Sequence, residues 1–299
     1  MVRVANAPCS WGVLEFDLEG KTAGYEQVLD EIKNTGYVGT ELGDWDFMPT
    51  DPAKLRAELA SRDLEMVGAF VPVALREPSR HKAGIATAVK TARLMADSGF
   101  PAAFIVLADE NGSVKSRTQA AGRVTPDLSL SADEWRAFTR GAAELAKTVR
   151  GETGLRTVFH HHCAGFVETP AEIEKFLTGT PEDSLGLVLD TGHYRFAGGY
   201  PEAAIRLYGE RIWHVHFKDC EPQLAERSRR EGWDYFRSVR EGVFCELGNG
   251  EVDFRAVADE LSRRSFAGWI VVEQDVLTGM GSPFECARRN REFIRGIGF

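Results

Sequence analysis

Residue types that bind divalent metals are concentrated between positions 160 and 273 of the sequence. Six of the seven histidines lie in this part, in three short clusters, and a glutamate follows them near its end. Imidazole and carboxylate groups together suit Mn²⁺, Co²⁺, Zn²⁺ or Mg²⁺. The spacing therefore predicts a site for one divalent metal ion, built from His160-His161-His162, Asp190-Thr191-Gly192-His193, His214-Val215-His216-Phe217-Lys218 and Glu273.

Each of these clusters ends a short, mostly apolar run that predicts a β-strand. The carboxyl ends of parallel strands meet at one rim of a barrel, so ligands that end four strands converge there. Alternate residues of a strand share a face, and we therefore expect His160 and His162 on one side and His161 on the other. Asp190 ends a fully apolar strand, where the alternative is a simple N-cap for the next helical turn.

The alternation of elements along the chain predicts an α/β fold, a closed (β/α)8 or TIM barrel. An open doubly wound sheet is the alternative. No G-x-G-x-x-G motif follows the first strand and no Walker A sequence occurs, so dinucleotide and nucleoside triphosphate sites are not supported. We expect residues 1–299 to form a single domain. The predicted strands cover residues 2–7, 38–42, 65–73, 102–107, 156–162, 185–190, 211–217 and 269–273.

Two polar segments interrupt the alternation of predicted strands and helices. The segment Asp109–Ser131 is long for a plain connection and predicts a loop at the rim near the site. We expect it to fold over the substrate and to exclude water. We also expect that shortening it lowers turnover and leaves the melting temperature nearly unchanged. The charged insertion Glu221–Glu241 predicts a helix plus a loop.

The composition limits the kinds of molecule that this protein can be expected to bind. The net charge of -9 and the pI of about 5.4 disfavour nucleic acid, and with it a metal-dependent endonuclease of the same barrel type. Five cysteines without C-x-x-C spacing are typical of a free-thiol cytoplasmic protein. We find no signal peptide and no apolar run near the ~20 residues that span a bilayer, so we expect no membrane partner. A homo-oligomer is compatible with the sequence.

The predicted metal site favours chemistry on a polyol or keto-sugar. The ion can chelate a ketone oxygen and an adjacent hydroxyl group, and it can stabilise the enediolate that forms when a neighbouring carbon loses its proton. A base must lie within hydrogen-bond reach of that carbon. Glu168, six residues after His162, and Glu41, near the end of the second strand, are the candidates. Lys218 and His193 could supply the acid.

The strand endings resemble the xylose-isomerase-like TIM-barrel superfamily of sugar isomerases and epimerases. Its L-D-T-x-H, H-x-K-D and strand-eight glutamate motifs match Leu189-Asp190-Thr191-Gly192-His193, His216-Phe217-Lys218-Asp219 and Val272-Glu273. Within the superfamily, further runs resemble the inosose dehydratase group of myo-inositol catabolism. These are Ala7-Pro8-Cys9-Ser10-Trp11-Gly12, Gly39-Thr40-Glu41-Leu42-Gly43, the run from His160 to Thr169, and Arg240-Glu241-Gly242-Val243-Phe244.

The resemblance implies a metal shell of Asp190, His216 and Glu273. The strand-five metal position, a glutamate in the epimerases, falls on His162, and either His162 or Glu168 is expected as the fourth ligand. His160 joins the catalytic candidates, because it or His162 stands where the epimerases carry the strand-five partner of their base. The implied function is a metal-dependent lyase that dehydrates an inosose (2-keto-myo-inositol) or a related polyhydroxy ketone.

Two other functions are compatible with the same barrel fold. A metal-dependent isomerase or epimerase of a sugar or sugar phosphate would use the same site, but it needs a second base on the opposite face of the substrate. A non-catalytic sugar-binding barrel would tolerate loss of the metal ligands, and the sequence retains them.

Overall fold

Eight parallel strands close into a barrel in the computed structural model, which describes residues 2–12, 23–277 and 279–299. Each strand pairs with its neighbours in chain order, and the last strand pairs with the first. The predicted (β/α)8 fold is therefore confirmed. The barrel strands are β1 (Arg3–Asn6), β2 (Gly39–Glu41), β3 (Glu65–Val73), β4 (Phe104–Asp109), β5 (Arg156–His160), β6 (Leu185–Asp190), β7 (Ile212–Phe217) and β8 (Trp269–Val272).

Helices connect the strands. Several begin where a side chain caps the first turn and a proline takes the first helical position. Asp51 accepts a hydrogen bond from the Lys54 amide, and Thr169 accepts one from the Glu172 amide. The α-helices are α1 (Tyr25–Asn34), α2 (Pro52–Ala60), α3 (Pro78–Asp97), α4 (Lys115–Ala120), α5 (Ala132–Thr153), α6 (Pro170–Thr178), α7 (Thr191–Phe196), α8 (Pro201–Tyr208), α9 (Pro222–Glu231), α10 (Tyr235–Arg240), α11 (Phe254–Arg263) and α12 (Pro283–Gly296). Short 3-10 helices cover Pro8–Trp11, Pro126–Leu128 and Gly209–Arg211.

Strand β5 ends two residues earlier than the sequence predicts. Its last residue is His160, and the chain then turns through His162–Gly165, with Ala164 in the left-handed region at a φ of 69°. Because His162 lies beyond the strand, the alternation of inward and outward residues does not extend to it. His160 is the last β5 residue that the strand itself positions.

The predicted rim loop, residues 109–131, contains helix α4 and a 3-10 helix rather than a plain loop. Arg117 of α4 is completely buried, and two of its nitrogens lie 2.9 Å from the Glu172 carboxylate oxygens. Its Nε also donates to the carbonyl of Gly165 at 2.8 Å. Removing one partner of a buried ion pair is strongly destabilising. The expectation that this segment can be shortened without loss of stability therefore conflicts with its packing.

The charged insertion is also more ordered than predicted. Two helices, α9 and α10, replace the expected helix plus loop. A two-stranded antiparallel ribbon, Asp219–Cys220 with Phe244–Cys245, joins the ends of this insertion. Helix α10 brings the ring of Tyr235 to 5.5 Å from the ring of His162, between centroids. The insertion thus contributes to the mouth of the barrel.

The sequence also predicts free thiols and no membrane-spanning segment. All five cysteines are free thiols. In the part of the chain that the structure describes, each helix is too short or too polar to cross a membrane. The single-domain organisation of residues 1–299 and the cytoplasmic location stay predictions.

Candidate metal centre

Four side chains from the carboxyl ends of successive barrel strands converge inside the mouth. They are His160, Asp190, His216 and Glu273, and one ligand atom from each lies within 4.8 Å of the others. The Nδ1 atom of His216 lies 3.2 Å from His160 Nε2, 3.1 Å from Glu273 Oε1 and 3.9 Å from Asp190 Oδ2. All but Glu273, whose side chain is 12% exposed, are nearly inaccessible to solvent. Two imidazoles and two carboxylates in this arrangement fit a divalent ion.

The two oxygens of Asp190 have different surroundings. Oδ1 accepts a 2.8 Å hydrogen bond from the His193 amide and so caps helix α7. Oδ2 is buried without a hydrogen-bond partner among the described residues, and it lies 3.6 Å from His160 Nε2. Burial opposes ionisation, but His160 and Lys218 outweigh it and lower the pKa of Asp190. An unpaired buried oxygen is unfavourable, and a bound cation would satisfy it. The N-cap alternative thus accounts for only one of the two oxygens.

The structure places His160, rather than His162, beside the other three groups. His162 lies beyond the end of β5, and its Nδ1 is 2.6 Å from the carbonyl oxygen of Cys163. Burial, together with His160, lowers the pKa of His162 to about 3, so the ring is neutral. Since a carbonyl oxygen only accepts hydrogen bonds, Nδ1 carries the proton. Nε2 then presents its lone pair, 3.5 Å from the hydroxyl of Tyr235.

The ring of His193 lies against that of His162, with centroids 3.9 Å apart and planes tilted by 40°, and it has the opposite tautomer. The Cys163 amide donates to His193 Nδ1 at 3.4 Å, so the proton of the neutral ring lies on Nε2. Nε2 is buried and has no hydrogen-bond partner among the described residues. Burial, His162 and Lys218 hold the pKa of His193 well below its ordinary value. The main chain of Cys163 thus sets opposite tautomers in two neighbouring histidines.

Lys218 is buried between two carboxylates. Its Nζ lies 3.3 Å from Glu273 Oε2 and 3.3 Å from both carboxylate oxygens of Asp275. Burial favours the neutral amine, but Asp275 and Glu273 outweigh it and raise the pKa of Lys218 well above its ordinary value. The side chain is therefore an ammonium group. The sequence prediction omitted Asp275, although it lies two residues after Glu273 at the end of the same strand.

Glu41 ends β2 and contacts two histidines of β7. Its Oε1 lies 2.9 Å from His214 Nε2 and 3.1 Å from His216 Nε2. Burial opposes ionisation, but His216 and His214 outweigh it and lower the pKa of Glu41 to about 2. The catalytic role of Glu41 stays a prediction, and its geometry favours a contact with histidine over proton transfer.

Glu168 lies outside the group of four. Its Oε1 accepts from the Gly122 amide at 2.7 Å and its Oε2 from the Ala164 amide at 2.8 Å. Burial raises the pKa of Glu168 to about 7 against the opposing effects of Arg117 and the two amides. Both oxygens already have main-chain partners, which favours neither of the roles predicted for this residue, base or metal ligand.

A closed (β/α)8 barrel that gathers such groups at the carboxyl ends of its strands has the active-site architecture of TIM-barrel enzymes. A family model described as xylose isomerase-like TIM barrel matches residues 29–297, and the chain belongs to that family. It is 30% identical over 294 residues to the inosose dehydratase of Lacticaseibacillus casei, an alignment that covers 98% of this chain and 96% of that protein. The predicted resemblance is confirmed, and the chain is an enzyme.

Solved structures share the fold at lower identity. The IolI protein with a bound zinc atom matches with a TM-score of 0.72 and 16% identity, over 99% of this chain and 97% of that one. An L-ribulose 3-epimerase matches with a TM-score of 0.70 and 18% identity, over 99% and 94% of the two chains. These identities show the common fold alone. The full-length similarity to inosose dehydratases therefore supports the dehydratase prediction, and the epimerase alternative has weaker support.

Proposed function

We propose that the chain is a divalent-metal-dependent lyase that dehydrates an inosose or a related polyhydroxy ketone. The observation that carries the proposal is the convergence of His160, Asp190, His216 and Glu273, whose ligand atoms lie within 4.8 Å of one another. The similarity to inosose dehydratases over nearly the whole chain supports the reaction class. Two imidazoles in the donor set favour Mn²⁺, Co²⁺ or Zn²⁺ over Mg²⁺, which prefers oxygen ligands.

In this proposal, His160, Asp190, His216 and Glu273 hold the ion. When bound, the ion supplies Lewis-acid chemistry, because it polarises the ketone and stabilises the negative charge that develops as the adjacent carbon is deprotonated. The Lys218 ammonium group lies 3.3 Å from Glu273, at the same end of the barrel. It donates hydrogen bonds to substrate oxygens and offsets part of the charge of the surrounding carboxylates.

His162 and His193 assist the two bond-breaking steps. The lone pair on His162 Nε2 takes the proton from the carbon next to the ketone, so the C–H electron pair becomes the new carbon–carbon double bond. The β carbon–oxygen bond breaks, and the departing hydroxyl group, which accepts a hydrogen bond from His193 Nε2–H, takes a proton from the Lys218 ammonium group to form water. The base and the hydrogen-bond donor must face different atoms of one substrate. The ring contact, with centroids 3.9 Å apart, keeps the two imidazoles close enough to serve adjacent carbons.

Aromatic side chains limit the access of water to this pair. The ring of Phe244 lies 4.7 Å from that of His193, and the ring of Tyr235 lies 5.5 Å from that of His162, between centroids. Both come from the segment that follows β7. Exclusion of water strengthens electrostatic interactions inside the site and protects the reactive intermediate.

Mass spectrometry in deuterated water tests the proposal. The protein is stripped of metal with a chelator, reloaded with Mn²⁺, Co²⁺ or Zn²⁺, and incubated with 2-keto-myo-inositol. We expect a product that has lost one water, formed by the reloaded protein and not by the stripped protein. An isomeric product that contains solvent deuterium would instead assign an epimerase. Undiminished dehydration by protein that is verified to be free of metal would refute the metal dependence.

A further inference from the structure

Glu41 contacts His216 on the side of its ring that faces away from the other candidate ligands. His216 Nε2 lies 3.1 Å from Glu41 Oε1, whereas Nδ1 lies 3.1 Å from Glu273 Oε1 and 3.2 Å from His160 Nε2. A carboxylate only accepts hydrogen bonds, so Nε2 must carry a proton in this contact. A ligating imidazole uses its one lone pair, so with the proton kept on Nε2 the ring binds an ion through Nδ1, the atom that faces Glu273 and His160.

We propose that Glu41 is a positioning residue, which fixes His216 in the Nε2–H tautomer and directs Nδ1 at the metal ion. This inference rests on the proposed function, because it requires that the group of four binds an ion. Carboxylates that accept the second N–H of a ligating histidine fix its tautomer and raise its basicity, and their loss weakens metal binding by about 10–100-fold. The role replaces the proton transfer that the sequence suggested for Glu41.

Groups on the adjacent strand β3 and on β7, across the barrel, hold the carboxylate of Glu41 in place. His214 of β7 is completely buried, and its Nε2 lies 2.9 Å from the same oxygen. On β3, a Cβ atom at Gly68 would lie 3.0 Å from Glu41 Oε1 and 3.1 Å from Val106 Cγ2. A larger residue at position 68 would push against the carboxylate, so glycine leaves the space that it occupies. These contacts restrict where Glu41 can hold His216.

The test measures metal affinity and not only activity. Calorimetric titration with Mn²⁺ or Zn²⁺ compares the wild type with Glu41→Gln, which keeps the shape and removes the charge. Gly68→Ala leaves every polar group intact and displaces the carboxylate by a few tenths of an ångström. Glu260→Gln is the matched control, because Glu260 is also buried and one of its oxygens accepts from Arg206 at 2.9 Å and Arg263 at 2.6 Å, away from the barrel mouth.

We expect the wild type to bind one ion per chain and E41Q to bind one ion about 10–100-fold more weakly. G68A should show a smaller loss in the same direction, and E260Q should bind like the wild type. In zinc-loaded protein labelled with ¹⁵N-histidine, the Nε2–H proton of His216 should resonate downfield, as expected for a strong hydrogen bond. In E41Q that signal should move upfield.

The outcomes separate this inference from the proposed function. A wild type that binds no metal refutes the proposed function. A wild type that binds metal, with E41Q within twofold of its affinity and an unchanged His216 signal, refutes only the role of Glu41. Two ions in the wild type and one in E41Q would make Glu41 a ligand of a second ion, which also overturns the inference. If E41Q does not fold, unchanged affinity in G68A overturns it.

Discussion

Glu168 accepts a 2.7 Å hydrogen bond from the main-chain amide of Gly122, which lies 46 residues earlier in the chain. Its second oxygen accepts from the amide of Ala164, in the turn after β5. Gly122 has a φ of 75°, and a Cβ atom there would lie 2.8 Å from the ring of Phe196. The position therefore requires glycine. One buried carboxylate thus joins the rim segment of residues 109–131 to the end of a barrel strand.

The first prediction concerns the pH dependence that Glu168 imposes on stability. Burial raises its pKa from 4.5 to about 7, so between these values the folded state binds a proton that the unfolded state has lost. Stability then falls as the pH rises through this window, and it levels off above pH 7. In denaturant titrations, we expect the wild type to lose about 3 kcal/mol relative to Glu168→Gln between pH 4.5 and 8. A constant difference between the two proteins over that range would contradict the prediction.

The second prediction concerns the buried ion pair of the rim segment. Arg117→Met leaves the Glu172 carboxylate buried without its partner, and we expect a loss of about 3–5 kcal/mol in the free energy of unfolding. Arg80→Met is the matched control, since Arg80 also makes two hydrogen bonds to one carboxylate, at 2.9 and 2.8 Å to Glu110, but its side chain is 50% exposed. That variant should lose less than about 1 kcal/mol. Equal losses would show that burial does not decide the contribution of the pair.

The fold was predictable because each strand can be recognised from its own short stretch of sequence. Short apolar runs ending in polar residues mark β6, β7 and β8, and this pattern depends only on neighbouring residues. Asp190, His216 and Glu273 follow directly, since the carboxyl ends of parallel strands share one rim. The structure brings these residues together.

The exact end of a strand was not predictable in the same way. The choice between His160 and His162 depends on a turn in which Ala164 adopts a φ of 69°, a conformation that alanine rarely takes and that its sequence neighbours do not indicate. The contacts of Glu41 with β7 and of Tyr235 with His162 join residues that are distant in sequence. Hydrophobic periodicity carries no information about such contacts.

The third prediction separates the two roles of Asp190. Asp190→Asn keeps an oxygen that can accept from the His193 amide, so the cap of α7 survives, but the amide is a weak neutral metal ligand. Asp190→Ala removes the cap as well. We expect both variants to lose metal binding, and D190A alone to lose a further ~1 kcal/mol of stability relative to D190N, as capping residues usually contribute. Calorimetric titration and thermal melts measure the two effects. Wild-type metal affinity in D190N would exclude Oδ2 as a ligand.

The fourth prediction tests the role of His162 in proton removal and that of His193 in the departure of the hydroxyl group. Asparagine at either position can keep the contact with the main chain of Cys163, because its amide group can donate in place of His162 Nδ1–H or accept in place of His193 Nδ1. The substitution removes Nε2 in both cases. We expect His162→Asn and His193→Asn each to lower turnover by about 10²–10⁴-fold while metal affinity stays unchanged.

Deuterium exchange distinguishes the two variants. In deuterated water, H193N should return substrate that has gained deuterium next to the ketone, because His162 still removes and restores that proton while the hydroxyl group leaves much more slowly. H162N should return substrate without deuterium, because the first step no longer occurs. Glu168→Gln serves as the control, since its carboxylate contacts two main-chain amides and should not affect exchange. Exchange that persists in H162N and disappears in E168Q would return the role of base to Glu168.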